Sequence, residues 1–153
     1  MKSDFCVAVH ALVFLNHKQK MVSSEELADN ICTNPVRVRK VMAKLKAFNL
    51  VETKEGNAGG YLFTEAAEAV SLRNIAEAVD TRFVETNWYS GDQDKPCLVS
   101  SGMADIMEGI LDELDERCRE WLEDKTIADI DRQIFGTKSL GQIKEGKIKN
   151  ERI

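Results

Sequence analysis

The segment between residues 34 and 48 is Asn34-Pro35-Val36-Arg37-Val38-Arg39-Lys40-Val41-Met42-Ala43-Lys44-Leu45-Lys46-Ala47-Phe48. Asn is a favoured N-cap, and Pro suits the first helical turn, where its missing N–H costs nothing. Four apolar side chains then recur at helical spacing: Val38, Val41, Met42 and Leu45. This pattern predicts a helix that begins at Asn34 and buries one face.

The charge of this predicted helix is entirely basic. It carries five cations and no acid: Arg37, Arg39, Lys40, Lys44 and Lys46. A helix has the width of the DNA major groove, and its N-terminal amides can face a phosphate. We therefore interpret Arg37 and Arg39, in the first turns, as candidates for contacts with base edges, and Lys40 and Lys44 as candidates for phosphate contacts. The alternative interpretation is a solvated basic face.

The segments on either side of this helix complete a winged helix–turn–helix. Residues 4–17 have the apolar spacing of a first helix, and Ser23-Ser24-Glu25-Glu26 has the pattern of a capping box before a short helix at 23–31. After the basic helix, strands predicted at 50–54 and 61–63 flank a turn containing Gly56, Gly59 and Gly60. A hairpin in this position is a wing. The candidate DNA contacts are thus Ser24, Asn34, Pro35, Val36, Arg37, Arg39, Lys40, Lys44, Lys54 and Asn57.

A long amphipathic helix is predicted at residues 102–124, after a loop that lacks periodicity. Its apolar stripe is wide, and a domain of about 80 residues offers little surface to cover it, so a second copy of the chain is the expected partner. The predicted interface consists of Met103, Met107, Ile110, Leu111, Leu114, Cys118 and Trp121. The predicted division is a DNA-binding domain at 1–80, a linker or sensing loop at 81–101, a dimerisation region at 102–135 and a mobile tail at 136–153.

Composition restricts the class of protein. The net charge is -5, but residues 1–80 carry ten basic and ten acidic side chains, so the negative excess lies in the second half. Local charge steers a polyanion more than total charge does. No segment is long and apolar enough to span a bilayer, and the four cysteines form no C-x-x-C pair. We expect a cytoplasmic protein with reduced thiols. Cys6 and His10 lie four residues apart, but two ligands do not close a metal site.

Four sequence motifs carry a family resemblance. These are Ser24–Ala28, the segment Asn34–Leu45, the wing Gly56–Tyr61 and Ser71–Ile75. Together they resemble the Rrf2 type of transcriptional regulators, which includes regulators of iron–sulfur and cysteine metabolism. The resemblance implies a mainly α-helical fold with a small β wing, and a homodimer whose long C-terminal helices cross. It also implies one recognition helix for each half of a palindromic operator, and repression as the mode of action.

The chain departs from this family in two places. Many members hold an iron–sulfur cluster with three cysteines in the loop before the long helix, whereas this loop contains only Cys97. A cluster needs three or four ligands, so we expect no cluster and no other cofactor. The wing of the family often carries an Arg just before the first Gly, whereas this chain has Glu55. A carboxylate there disfavours insertion of the wing into the minor groove.

The sequence therefore predicts a sequence-specific DNA-binding regulator whose input is a thiol, a small effector or a partner protein. Cys97 is the candidate redox thiol, although its reactivity depends on a pKa that sequence does not give. The alternative is a protein-interaction module that uses the long helix and has no specific DNA site. An enzyme is disfavoured, because no nucleophile motif, phosphate loop or paired-acid motif is present.

Overall fold

The computed structural model describes residues 2–136, so the predicted tail lies outside the described residues except for Gly136. Six α-helices are described: α1 (Lys2–Lys18), α2 (Ser24–Ile31), α3 (Pro35–Ala47), α4 (Leu72–Ala78), α5 (Leu98–Glu123) and α6 (Ile127–Phe135). A short 3-10 turn lies at Ala67–Ala69, and the two strands are β1 (Glu52–Lys54) and β2 (Gly60–Leu62). The predicted fold class, mainly helical with a small β wing, is confirmed.

The helix–turn–helix is formed by the local signals that the sequence contains. The Ser23 side chain accepts a hydrogen bond from the Glu26 amide, and Asn34 accepts one from the Arg37 amide at 2.8 Å. Between the two helices, Cys32 ends α2 in the left-handed conformation with φ 63°. This residue reverses the chain without a glycine, and its N–H bonds back to the last turn of α2.

The wing is an antiparallel hairpin that is attached to the start of α2. Thr53 pairs with Tyr61, and the Tyr61 backbone also exchanges two hydrogen bonds with Val22, at 2.8 and 3.0 Å. A Cβ on Gly60 would lie 2.3 Å from the Val22 carbonyl oxygen, and its φ is +143°. Glycine is therefore required where the wing meets the body of the protein.

Helix α6 is part of the core, although its residues fall within the predicted dimerisation region at 102–135. Thr126 and Asp129 form a capping box that starts α6, and this helix packs against α1. Ile127 is fully buried together with α1 residues such as Leu12. Residues 127–135 therefore pack on the helix–turn–helix unit, while the division of the chain at residues 80 and 101 stays a prediction.

The long helix begins earlier than predicted and is attached through its charged face. It starts at Leu98 rather than at residue 102, so the last residues of the predicted loop are helical. Asp115 lies among the acidic residues of the helix, yet it is only 6% exposed. Its Oδ1 accepts hydrogen bonds from the Phe83 and Val84 amides, at 2.6 and 3.0 Å, and Arg119 pairs with its Oδ2 at 3.0 Å. Periodicity shows the polarity of a helix face, but it does not show which polar residue on that face binds another segment.

Two further arginines connect α5 to the rest of the chain. Arg73 on α4 donates to Glu116 at 2.8 Å, and Arg82 donates to Asp112 at 2.7 Å. These contacts lie in the second half of α5. They hold the helix by its polar side, and of its apolar residues Leu122 is buried whereas Ile106, Ile110 and Leu114 are exposed.

Candidate nucleic-acid interface

Helix α3 presents its basic side chains on the surface, but two of its cations are shared with α1. Arg37 Nη2 donates to Ser3 Oγ at 2.5 Å and to Asp4 Oδ1 at 3.1 Å. Lys44 Nζ lies 4.0 Å from Asp4 Oδ2. The Arg37 side chain is 32% exposed. Its guanidinium therefore connects α3 to the N-terminal turn of α1 in the protein without DNA.

Arg39 lies on the opposite flank of α3, beside α2. Its Nη1 donates to Ser24 Oγ at 3.1 Å and lies 3.5 Å from Glu25 Oε1. The Arg39 side chain remains 49% exposed, and surface ion pairs of this kind exchange readily with solvent. Ser24 is largely buried, lines the cleft between α3 and the wing, and accepts the hydrogen bond from Arg39.

A polar cleft of about 480 Å³ separates α3 and the start of α2 from the wing. Arg39 and Lys46 line one wall, and Lys54 lines the other. Tyr61 lies at the base of the cleft, packs against the core, and has a pKa raised by burial. Glu25 and Glu55 also line the cleft, so three cations and two carboxylates face this groove between a helix and the wing.

The other predicted DNA contacts lie on α3, at its N-cap and on the wing. Asn34 and Lys40 are exposed, Pro35 is half-buried, and Val36 is 53% exposed. Lys54 and Asn57 are exposed on the wing. Sequence reasoning did not select Lys46 as a site residue, although it lies seven residues after Arg39 and hence on the same side of the helix. The assignment of each residue to a DNA contact stays a prediction.

The apolar face of α5 is uncovered within the protomer. Met107, Ile110, Leu114 and Trp121 of the predicted interface are 36–64% exposed, and Ile106 is 59% exposed beside them. Met103, Leu111 and Cys118 are partly exposed. Exposed apolar surface of this extent along a single helix is typical of an interaction surface.

These features define a winged helix–turn–helix DNA-binding protein. Residues 1–133 match the Rrf2 family, described as an iron-dependent transcriptional regulator, and the chain belongs to this family. It is accordingly a DNA-binding transcriptional regulator and not an enzyme. It is 26% identical over 136 residues to YwnA of Bacillus subtilis strain 168, a candidate HTH-type transcriptional regulator, and the match covers 88% of this chain and 99% of YwnA.

Solved structures share the fold. A candidate transcriptional regulator from Lactobacillus plantarum superimposes with a TM-score of 0.80 at 21% identity, covering 97% of this chain and 100% of that one. CymR, the global cysteine regulator of B. subtilis, gives a TM-score of 0.62 at 13% identity, covering 87% of this chain and 96% of CymR.

The iron that the family description implies does not fit the described residues. Within residues 2–136, no three His, Cys, Asp or Glu side chains are grouped so that they could hold a metal ion. Cys6, Cys32 and Cys97 are exposed on separate elements, and Cys118 is half-buried in α5. The His10 Nε2 atom near Cys6 is 2.7 Å from Asn30 Oδ1.

Cys97, the predicted redox thiol, lies immediately before α5. The amide N–H groups of Ser100 and Val99 point at its sulfur and lower its pKa below the ordinary value of 9.0. A lowered pKa increases the thiolate fraction at neutral pH, and the thiolate is the reactive form.

In the described part of the chain, no helix is both long and apolar enough to cross a membrane.

Proposed function

We propose that the protein is a homodimeric repressor that binds a palindromic operator with one α3 helix in each half-site. This proposal rests on one observation: a single protomer presents two separate surfaces that suit these two roles. An acid-free basic helix lies beside a wing, and an apolar helix face lies uncovered on α5. The first surface suits a DNA groove, and the second suits an identical copy of itself.

The length of α5 supports the dimer. Its 26 residues extend about 39 Å, and the ion pairs of Arg73 on α4 with Glu116 and Glu123 lie in its second half. Two such helices that cross would bury their apolar faces against each other. The dimer would then hold two α3 helices in symmetric positions, as a palindromic site requires.

We further propose that the regulator works without an iron–sulfur cluster and that Cys97 supplies a thiol input in the cytoplasm. The exposure of its sulfur and its lowered pKa support this proposal. Oxidation of a thiol at the start of α5 would act on the helix that is proposed to join the two subunits. A small effector or a partner protein acting on the same helix is the other form that the input could take.

The test is a fluorescence-anisotropy titration against labelled duplex from upstream of the protein's own gene. The titration uses two salt concentrations, reduced and mildly oxidised protein, and a scrambled duplex as control. We expect sequence-dependent binding that weakens as salt rises, because phosphate contacts release counterions. A difference between redox states that disappears in Cys97→Ser would support the thiol input.

A protein-interaction module is the alternative that this experiment distinguishes. Such a module would show no preference for any duplex, including duplexes selected from a randomised pool. It would instead form a heteromeric complex through α5. Sequence-dependent binding by wild-type protein would exclude it.

A further inference from the structure

The outermost face of α3 is mostly apolar, although the helix as a whole is basic. At 100° per residue, the buried residues Val38, Val41, Met42 and Leu45 share one side of the helix. The diametrically opposite side consists of Val36, Lys40, Ala43 and Ala47, which we call the outer face. All four residues are exposed. Lys40 is therefore the one cation of the outer face, and the other three residues are apolar.

The other cations flank the outer face instead of occupying it. Arg37 and Lys44 lie on the side that faces α1, where both approach Asp4. Arg39 and Lys46 lie on the side that faces the wing. When a helix enters a groove, its outer face meets the base edges directly, and long flanking side chains reach the bordering phosphates or the edges of adjacent bases.

Val36 is the most prominent apolar group of the outer face. It lies in the first turn of α3, the part of a recognition helix that contacts bases, and 53% of its surface is exposed. A β-branched residue lowers helix propensity, and the protomer leaves about half of the Val36 surface uncovered. Its apolar surface is therefore available to a ligand with an apolar group.

Only one base offers such a group in the major groove. Thymine presents its C5-methyl group there, whereas the other bases present hydrogen-bond donors and acceptors. We propose that Val36 packs against the C5-methyl group of a thymine in each half-site, so that this methyl contact determines part of the operator sequence. This inference rests on the proposed DNA-binding function.

The experiment replaces each thymine of a bound operator with deoxyuridine, one position at a time. Deoxyuridine keeps the base pairing and removes only the C5-methyl group. The duplex is the tightest binder selected from a randomised pool, and binding is measured by fluorescence anisotropy. At one thymine in each half-site, we expect the substitution to weaken wild-type binding about fourfold, which corresponds to one methyl group removed from apolar contact.

The Val36→Ala variant identifies the residue that contacts the methyl group. We expect it to bind the thymine operator more weakly than wild type, and to bind the thymine and deoxyuridine operators equally. Val99→Ala is the matched control, because Val99 is 67% exposed but lies on α5. This control should remain as sensitive to deoxyuridine as wild type.

The outcomes separate this inference from the function on which it rests. Wild-type protein that distinguishes operator from scrambled duplex, yet is indifferent to deoxyuridine at every position, would overturn the methyl contact and leave the regulator intact. The same holds if Val36→Ala keeps full sensitivity at the same thymines. Failure of wild-type protein to prefer any selected duplex would overturn the proposed function and this inference together.

Discussion

Asp4 determines how two cations of the recognition helix are held in the free protein. Its carboxylate lies within 3.1 Å of Arg37 and 4.0 Å of Lys44, and it is itself 20% exposed. A negative charge beside a basic helix lowers attraction for any DNA, whatever its sequence. Asp4 therefore fixes α1 against α3, and at the same time it lowers the electrostatic affinity of α3 for DNA.

Replacement of Asp4 by Asn should raise the affinity for scrambled duplex about twofold to threefold at low salt. The change removes one unfavourable charge and frees Arg37 and Lys44 for phosphates. Anisotropy titrations at two salt concentrations measure the effect, and Glu108→Gln makes the same charge change on α5 as a control. Unchanged or weaker binding to scrambled duplex would show that Asp4 exerts no field at the DNA surface.

Arg37 and Arg39 should differ in their effects when replaced by Ala. Each should cost roughly 1–3 kcal/mol of binding to the cognate duplex and relax sequence preference at one position. Only Arg37→Ala should also lower the free energy of unfolding, because Arg37 links α3 to Ser3 and Asp4. Titrations with single-base variants of the operator and urea unfolding separate the two effects. An equal loss on every sequence would make these residues phosphate contacts.

At the scale of elements, the position of α5 depends on a buried carboxylate. Asp115 binds the amides of Phe83 and Val84, which follow α4, and it pairs with Arg119, which also donates to the Thr81 carbonyl oxygen. Burial opposes ionisation of Asp115, but these amides and Arg119 outweigh it and hold its pKa below the ordinary 3.8. The segment after α4 and the long helix are thereby fixed to each other.

Replacement of Asp115 by Asn should lower the free energy of unfolding at pH 7 by on the order of 3 kcal/mol, because Arg119 loses its buried partner. Asp112→Asn is the control, since its pair with Arg82 is about half exposed and its loss should destabilise the fold much less. Urea unfolding measures both. Equal losses in the two variants would contradict the role given to Asp115.

The same group should give a pH dependence with a defined sign. Because the folded-state pKa of Asp115 is depressed, its stabilisation is fully present above 3.8 and is lost as the pH falls through the folded-state pKa. The stability difference between wild type and Asp115→Asn should therefore shrink below pH 3.8. A difference that stays constant with pH would indicate that the ionised carboxylate is not what stabilises the fold.

At the scale of the whole molecule, the proposed dimer would cover the apolar face of α5 and place two α3 helices on one operator. A single helix in one half-site provides limited affinity, whereas two helices held in fixed positions bind as one unit. Leu114 lies in an apolar groove with Trp121 on α5 and Phe83 from the preceding segment, and it is 48% exposed.

Leu114→Asp should convert the dimer to a folded monomer and weaken operator binding strongly, because a charge would be buried in the interface. Sedimentation or light scattering measures the mass, and circular dichroism confirms the fold. Glu113→Ala changes the adjacent exposed side chain and should leave the mass unchanged. A stable dimer of Leu114→Asp would place the interface elsewhere.

Much of this arrangement follows from local sequence. The caps at Ser23, Asn34 and Ser71, the glycines of the wing and the spacing of apolar residues in α3 predict the helices and the hairpin within a few residues. They do so because caps, turns and helical faces involve residues that are neighbours in the chain. The charge of α3 is likewise a property of one segment.

The tertiary structure determined which of these segments contact one another. Three contacts depend on how separate elements meet. Asp4 binds Arg37, which is 33 residues away, Asp115 is buried under the segment after α4, and α6 packs on α1. Periodicity gives the polarity of a face but not its neighbour. For that reason the sequence alone predicted a basic recognition helix, whereas the packing showed that Arg37 and Lys44 face α1 and that Arg39 and Lys46 face the wing.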